Sequence, residues 1–327
     1  MEKIKITPLA NIPSEYIRYE HNTYLSIPRW YIIFIRNDYS EFIKTKPNSE
    51  FPYFKVISNF WKSYEISCQH VEKYKKLSLV SHIKMVLLGI SVTAEFSFRA
   101  CYEKTLGALS QYFYKQKTQQ DEIIEITERD YNDFIKYHPW YDFDFFSRWS
   151  FFIKKIFIKP NSFAHLVRIF ERSLYFSFFV FVKSSFSCII RFIHFIDHHQ
   201  PDSRTALELD YFPEEFIKDS LVDTIGEHQK RVVITVPRYF SFQDYIKQIE
   251  KDNKIYSIAG NARETLILCT LPSGRDYTFV KLAPIFIQNN IVDNSTRVIY
   301  SIKVSDLISF NIFCQQKNIK IEHIFDF

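Results

Sequence analysis

The spacing of hydrophobic and polar positions changes once along the chain. From Tyr53 to about position 195, apolar residues recur at helical spacing, whereas from position 231 onward they alternate as in strands. The first pattern predicts helices over 53–74, 81–113, 145–158 and 162–195. The second predicts strands at 231–236, 255–258, 264–271, 284–288, 298–304 and 319–325, with helices at 242–251 and 305–317. We therefore expect an α+β protein, in which an all-helical N-terminal region precedes a small ferredoxin-like (βαββαβ) domain.

A ten-residue segment occurs twice in the helical region. Residues 38–47 read DYSEFIKTKP and residues 130–139 read DYNDFIKYHP, an offset of 92 (130 − 38). The pattern predicts a duplicated module, with Asp38 and Asp130 as helix N-caps and Pro47 and Pro139 as helix ends. The predicted boundaries are 1–118 for the first copy with its extension, 119–200 for the second copy, 201–230 for a linker and 231–327 for the ferredoxin-like domain.

One predicted helix carries a ladder of polar residues at four-residue steps. Ser91, Glu95, Arg99 and Glu103 share one side of the helix over 81–113. Pairs of opposite charge at this spacing are typical of a solvated helix face. If the ladder is buried instead, it indicates a polar network between the two copies.

The strongest functional signal is a basic and aromatic segment in the second copy. Residues 148–191 hold eight basic residues and one acidic residue, a balance of +7 (8 − 1), among many Phe, Ile and Val. A wide apolar helix face edged with cations is typical of a helix that lies on an anionic membrane surface. The predicted partner- or membrane-binding residues are Arg148, Lys154, Lys155, Lys159, Arg168, Arg172, Lys183 and Arg191.

Two other interpretations of that segment stay open. A buried bundle helix whose narrow polar stripe meets solvent has the same pattern, and Lys183 near the middle of 174–196 disfavours a membrane-spanning helix. Nucleic-acid binding uses the same residue types, but the whole chain carries a net charge of only +5, which disfavours it.

One cluster of residues has the chemistry of metal ligands. His194, Asp197, His198 and His199 end the last predicted helix, and imidazoles with a carboxylate suit zinc, iron or manganese. A solvated helix terminus is the alternative, because the additional E-x-x-H or H-E-x-x-H ligands are missing. The five glycines stand alone, which excludes a P-loop and a Rossmann fingerprint. We expect no cofactor and identify no catalytic residues.

The amino-acid composition mainly indicates the cellular compartment of the protein. The 327 residues are 46% hydrophobic and 24% charged, as in globular proteins, with 34 Phe, 21 Tyr and 5 Gly. The five cysteines form no C-x-x-C pair, which indicates a reducing compartment. The N-terminus lacks the apolar core of a signal peptide. We expect a cytoplasmic protein, with association at the cytoplasmic face of a membrane as the open alternative.

Two short motifs resemble those of a set of uncharacterised bacterial proteins. They are PWYDFDF at 139–145 and IEHIFDF at 321–327. The resemblance implies a duplicated helical half and a small C-terminal domain, and it implies no activity. The first repeat departs from the fuller motif, because Asn48 and Ser49 stand where the second has Trp140 and Tyr141.

Together these patterns favour a non-enzymatic accessory or scaffold protein. Its aromatic, cationic helical region would bind a protein partner and also an anionic membrane surface. The alternative is a metal-dependent enzyme or sensor that uses His194–His199. A third hypothesis gives the C-terminal domain a small-molecule ligand at the turn that contains Gly260, Asn261, Ala262 and Arg263.

Overall fold

The computed structural model shows helices followed by antiparallel sheets, which confirms the α+β class. It describes residues 12–18, 21–74, 79–155, 160–197, 203–217, 219–228, 231–249, 251–272, 274, 282–293 and 295–326. The chain divides into two compact units. The helical unit comprises Pro28–Glu65 and Leu77–Pro201, and the sheet unit comprises Met1–Ile27, Ile66–Lys76 and Asp202–Phe327.

Within the described residues, seven α-helices precede the first strand. They are α1 (His21–Thr45), α2 (Tyr53–Tyr74), α3 (Leu79–Tyr102), α4 (Ala108–Phe113), α5 (Gln119–Ile135), α6 (Phe145–Lys154) and α7 (Phe163–Asp197). A π-helical turn, Glu103–Gly107, connects α3 to α4. The turn makes α3 and α4 one long rod, as the predicted helix over 81–113 requires.

The predicted N-caps of the two repeats are wrong. Asp38 and Asp130 lie inside α1 and α5, because both helices begin many residues earlier than the repeated segments. Helix α5 begins instead at a capping box. The Asp121 N–H donates to Thr118 Oγ1 at 3.2 Å, and the Thr118 N–H donates to Asp121 Oδ2 at 3.0 Å.

The rings behind the two repeated segments pack in the same way. Tyr39 and Phe42 contact Phe51 with ring centroids 4.9 and 5.3 Å apart. The residues 92 positions later, Tyr131 and Phe134, contact Phe143 at 5.1 and 5.4 Å. Edge-to-face packing of this kind adds to the free energy that ring burial contributes.

Helices α3–α4 and α7 run antiparallel along their length. The Phe98 and Phe178 rings lie 4.1 Å apart, and one turn further along α3 the Tyr102 ring lies 5.3 Å from Tyr175, which is earlier in α7. The pairing continues into α4, where Ser110 Oγ accepts from Arg168 Nη1 at 2.8 Å. The direction of this pairing sets which charges of the two helices can meet.

The sheet unit contains two four-stranded antiparallel sheets. The first is built from β1 (Arg204–Leu209), β2 (Asp223–His228), β3 (Arg231–Pro237) and β4 (Ile255–Ile258), with α8 (Phe240–Gln248) before β4. The second is built from β5 (Glu264–Leu271), β6 (Pro284–Asn289), β7 (Thr296–Lys303) and β8 (Lys320–Ile324), with α9 (Leu307–Gln316) before β8. The strand orders are β2-β3-β1-β4 and β6-β7-β5-β8. Both sheets therefore follow one connectivity.

This topology corrects two predictions. The segment 201–230, predicted as a linker, holds β1 and β2, whose alternation is hidden because β1 is buried on both faces. The single βαββαβ sheet predicted for 231–327 is not observed, because β3 and β4 pair with β1 and β2 while β5 to β8 form the second sheet.

The C-terminal motif IEHIFDF supplies structural contacts. Glu322 accepts from Arg297 Nε at 2.7 Å and Asp326 accepts from Arg238 Nε at 2.7 Å. The buried His323 ring lies between those of Phe240 and Phe325, at 5.8 and 4.8 Å. These contacts give Glu322, His323, Phe325 and Asp326 structural partners in the sheet unit.

Candidate functional site

The helical unit contains a buried group of ion pairs, the inner charge cluster, formed by Arg36, Glu95, Arg99, Glu128 and Lys183. The Glu95 carboxylate contacts all three cations, with Lys183 Nζ at 2.5 Å and Arg99 Nη2 at 3.2 Å. Arg99 Nη2 also lies 2.5 Å from Glu128 Oε1. Each of these side chains is at most 8% exposed. Three members of the ladder predicted as a solvated face, Glu95, Arg99 and Glu103, are therefore buried, and Ser91 is half-buried. The inner charge cluster links α1 and α3 to α5 and α7.

Aromatic rings line the rest of the inner charge cluster. The Arg99 guanidinium lies over the rings of Phe179 and Tyr39, at 4.5 and 4.6 Å. The Lys183 ammonium lies over Trp140 and Tyr131, at 5.2 and 5.4 Å. Such cation–π contacts are strongest where water is excluded, so the rings compensate in part for the desolvation of the cations.

The charged neighbours of each side chain in the inner charge cluster determine the direction in which its pKa is shifted. Burial opposes the charge of Glu95, yet Arg36, Lys183 and Arg99 together hold the pKa of its carboxyl far below the ordinary value. Burial and the nearby Arg36 guanidinium lower the pKa of Lys183 to about 8, although Glu95 favours its charged form. Lys183 shares one carboxylate with two guanidinium groups, so it is the cation that loses its proton most readily.

A second group of charges, the pocket charge cluster, lies beside the π turn and comprises Glu103, Asp121, Arg168, Glu171 and Arg172. Arg172 donates to both Glu103 oxygens at 3.0 Å. Arg168 Nη2 donates to Asp121 at 2.7 Å and Arg168 Nη1 donates to Glu171 at 3.2 Å. Bidentate arginine–carboxylate pairs are among the strongest hydrogen bonds in proteins. The pairs of Arg172 with Glu103 and of Arg168 with Asp121 hold α7 against the π turn and α5.

The π turn and its glycine make room for this cluster. A Cβ on Gly107 would lie 2.5 Å from Glu103 Oε2 and 2.9 Å from Arg172 Nη2. The Gly107 carbonyl accepts from Arg168 Nη1 at 3.2 Å and from Ser110 Oγ at 3.0 Å. Single π turns often occur at functional sites, and this one brings a carbonyl and a carboxylate to the two arginines.

A cavity of about 280 Å³ opens above the pocket charge cluster. We call it the lysine pocket. Glu103, Asp121, Arg168 and Arg172 form its floor. Four lysines stand at the rim, Lys44 and Lys46 from the end of the first repeated segment and Lys115 and Lys117 from the loop before α5. The rim side chains are exposed.

A second surface feature, the apolar face, covers the outer side of α3–α4 and α7. Its residues are the exposed Ile83, Leu87, Ile90, Leu106, Leu109 and Phe113 of α3–α4, and Phe163, Phe170, Leu174, Phe178, Phe181 and Phe192 of α7. The six α7 positions fall within an arc of roughly 80° at about 100° per residue. Both helices thus turn their charges inward and their large apolar side chains outward.

Two segments of this face have the length and composition of membrane-spanning helices. They are His82–Phe113 and Phe163–Phe192, with mean hydropathies of 1.2 and 1.6. Core helices of soluble proteins can have the same length and composition, but they are mostly buried, whereas only 39% and 33% of an apolar 18-residue stretch in each of these two segments is buried. Burial is low because the large side chains of the apolar face are exposed.

Three of the eight predicted surface cations are internal, which corrects the sequence-based interpretation. Arg168, Arg172 and Lys183 are buried in the two charge clusters. The antiparallel α3–α4 rod offers carboxylates to Arg172 and Lys183, and Arg168 pairs with Asp121 of α5 and Glu171 of α7. Lys154 and Lys155 are exposed. Arg148 and Arg191 are partly exposed and pair with Asp130 at 2.8 Å and Asp142 at 3.7 Å. Lys159 lies outside the described residues.

The metal-site hypothesis falls largely outside the described part of the chain. His194 and Asp197 belong to α7, whose side chains are described only as far as Phe192, and His198 and His199 are not among the described residues. Among the residues that are described, no group of three or more His, Cys, Asp or Glu side chains is arranged to hold a metal ion.

The turn proposed for a small-molecule ligand is occupied by the protein itself. The Asn261 side-chain amide donates to the Arg18 carbonyl at 2.7 Å and to the Ala259 carbonyl at 3.3 Å. Gly260 has a φ of 79°, which a glycine adopts without strain. These contacts give the turn a structural role in the sheet unit.

Sequence reasoning missed Arg36, Glu128 and the rim lysines. The sequence did contain a signal for Arg36, because it directly follows the apolar run Tyr31-Ile32-Ile33-Phe34-Ile35. A charged side chain that is buried at the end of such a run is paired. The rim lysines had no comparable signal, because isolated lysines in loops are ordinary surface residues.

The chain matches no protein-family model, no curated protein and no solved structure. The geometry of the helical unit is therefore the basis for a functional proposal.

Replacement of Gly107 by alanine tests the role of the π turn. We expect Gly107→Ala to lower the free energy of unfolding of the helical unit by about 1–3 kcal/mol, because the new methyl group displaces the Glu103–Arg172 pair. Urea denaturation monitored by circular dichroism measures this change. Gly226→Ala is the matched control, since no atom of the described residues lies within 4 Å of the place that a Cβ on Gly226 would take. Equal destabilisation by both substitutions would contradict the prediction.

The low pKa of Lys183 predicts a pH dependence of stability. Between about pH 8 and the ordinary lysine pKa, the unfolded chain binds a proton at Lys183 that the folded chain has released. The free energy of unfolding should therefore rise with pH across this window, by up to about 3 kcal/mol relative to Lys183→Met. Denaturant titrations at several pH values measure the difference.

The exposed Lys155 supplies the control for the pH prediction. Lys155→Met should follow the pH profile of the wild type, because the exposed Lys155 belongs to neither charge cluster and Lys183 is intact in this variant. A Lys183→Met protein with the wild-type profile would show that Lys183 stays charged inside the cluster.

Proposed function

We propose that this protein is a non-enzymatic scaffold whose helical unit docks on an anionic membrane surface through the apolar face. The observation that carries the proposal is the inverted arrangement of α3–α4 and α7, with ion pairs inside and large apolar side chains outside. Soluble monomers rarely expose apolar patches of this extent unless the patch binds something.

The dimensions of the face support a membrane as its occupant. The α7 part extends over 30 residues, Phe163–Phe192, or about 45 Å at 1.5 Å per residue. The α3–α4 rod runs beside it, and the Phe98 and Phe178 rings join the two rows. A broad face with aromatic side chains along both rows can enter the boundary between headgroups and acyl chains.

The charges at this face favour an anionic surface. In the segments 82–113 and 163–192 the acidic residues Glu95, Glu103 and Glu171 are all buried. The charged residues of those segments that are not buried are Lys84, Lys104 and Arg191. Lys154 and Lys155 on α6 add two exposed cations. Anionic lipid attracts each nearby cation by about 1 kcal/mol.

The arrangement favours a helix pair that lies on the membrane over one that crosses it. Helix α5 packs against α7, and the residues on its outer side include the exposed Glu122, Arg129 and Asp133. Charges on that outer side remain in water only if α3–α4 and α7 lie along the surface, with one face in lipid.

We also propose that the helical unit is duplicated. The matching ring distances around Phe51 and Phe143 support this interpretation. So does the indole N–H of Trp61, which donates to Thr93 Oγ1 at 3.0 Å, while that of Trp149 donates to Ser177 Oγ at 2.9 Å. In the sheet unit, the last four elements of each sheet along the chain are strand, strand, helix and strand. The βαββαβ order of a ferredoxin-like domain ends in the same way.

Flotation with liposomes tests the membrane proposal. The wild type should float with vesicles that contain anionic lipid and less with neutral vesicles. The double variant Phe170→Asp/Phe181→Asp should lose flotation at least about tenfold, because a charge on the docked face has to leave water. Both rings are more than 60% exposed, so the substitution leaves the core unchanged.

Ile217→Asp controls for a general effect of new charge, since Ile217 is 68% exposed and belongs to the sheet unit. It should float as the wild type does. Failure of the wild type to bind either vesicle would overturn the membrane proposal. Loss of a stoichiometric protein partner in the double variant, without any vesicle binding, would assign the apolar face to a protein instead.

A further inference from the structure

The lysine pocket has a charge pattern that the apolar face does not explain. Its floor is internally compensated, because Arg168 and Arg172 pair with Asp121 and Glu103. Its rim is compensated only in part. Lys44 pairs with Glu41 at 2.6 Å and Lys117 pairs with Glu125 at 2.8 Å. Lys46 contacts the Phe42 ring at 5.3 Å, and among the described residues neither Lys46 nor Lys115 has an ion pair. Counting all lining charges, six cations oppose three carboxylates, a balance of +3 (6 − 3).

We propose that the lysine pocket binds a small phosphate ester. Lysine ammonium groups act as point charges that bind phosphate from several directions. Thr45, Asn48 and Gln111 line the same cavity and provide neutral hydrogen-bonding groups for the rest of the ligand. A neutral or cationic ligand would leave the excess positive charge of the rim uncompensated.

The size of the cavity limits the ligand. At about 280 Å³ its volume lies just below the range for small-molecule pockets, about 300–1,000 Å³. It admits a phosphorylated small molecule or the headgroup of a phosphorylated lipid, and not a folded partner. The site rests on the floor and rim residues alone, so it does not depend on docking of the apolar face.

The structure also shows why this pocket occurs beside the first repeated segment. Asn48 follows Pro47 and donates to Glu103 Oε1 at 3.2 Å. The residue 92 positions later is Trp140, whose ring packs against Lys183 at 5.2 Å. Asn48 thus lines the lysine pocket together with Glu103, whereas the larger Trp140 indole lies beside Lys183.

Calorimetric titration with inorganic pyrophosphate at constant ionic strength tests the proposal. Wild-type protein should bind pyrophosphate and unfold at a higher temperature in its presence. The variant Lys46→Gln/Lys115→Gln should bind at least about tenfold more weakly, since a hydrogen bond to a charged group contributes about 1.5–3 kcal/mol. Lys154→Gln/Lys155→Gln changes the net charge equally outside the pocket and should bind as the wild type does.

Citrate serves as a polyanion without phosphate. Equal affinity of the wild type for citrate and pyrophosphate, equal weakening in both lysine variants, or the absence of any binding would overturn the proposal. Because the rim side chains are exposed, both variants should unfold at the wild-type temperature without ligand. That measurement separates a binding defect from a folding defect.

Vesicles that carry a phosphatidylinositol phosphate distinguish the two sources of the phosphate group. If pyrophosphate competes with these vesicles and the rim variant binds them more weakly, the ligand is a lipid headgroup. If the rim variant loses pyrophosphate binding but floats with the vesicles as the wild type does, the ligand is a soluble phosphate ester. The Phe170→Asp/Phe181→Asp protein should retain pyrophosphate affinity in either case.

Discussion

Pairing between the acids of the α3–α4 rod and the cations of α7 is the interaction on which the helical unit depends. Removal of five cations and five carboxylates from water is costly, and only nearly complete pairing compensates that cost. Arg172 pairs with Glu103 and Lys183 pairs with Glu95, at two separate places along the contact. Together they fix the axial register of the two helices, because a shift by one turn would separate both pairs.

The same constraint explains the surface of the unit. Once the charged side of each helix faces the interior, the aromatic side faces outward, and the apolar face follows from the pairing. The lysine pocket follows from it as well, since Arg168 and Arg172 are paired with carboxylates and leave Lys46 and Lys115 of the rim as the uncompensated charges. Internal electrostatics and external binding surfaces thus have one cause.

The sequence predicted the two halves of the chain, most helix positions and most strands, because hydrophobic periodicity is local information. It misplaced what depends on distant partners. Arg168, Arg172 and Lys183 have the pattern of surface cations until the acids of α3, the π turn and α5 are brought against them. Strands β1 and β2 were assigned to a linker, since pairing with β3 rather than local alternation defines them. Asp38 and Asp130 failed as caps for a similar reason, because tertiary packing extends α1 and α5 toward their N-termini.

The π turn also has a consequence for the phase of the α3–α4 rod. In an uninterrupted α-helix, Leu109 and Phe113 would point roughly 80° and 120° away from Ile83, at about 100° per residue. A π turn contains one more residue than an α-helical turn, and this extra residue offsets about 100° of rotation around the helix axis. Leu109 and Phe113 therefore point in roughly the direction of Ile83, and both are exposed. The π turn of five residues, Glu103–Gly107, thus keeps the exposed apolar side chains on one continuous side of the 32-residue rod.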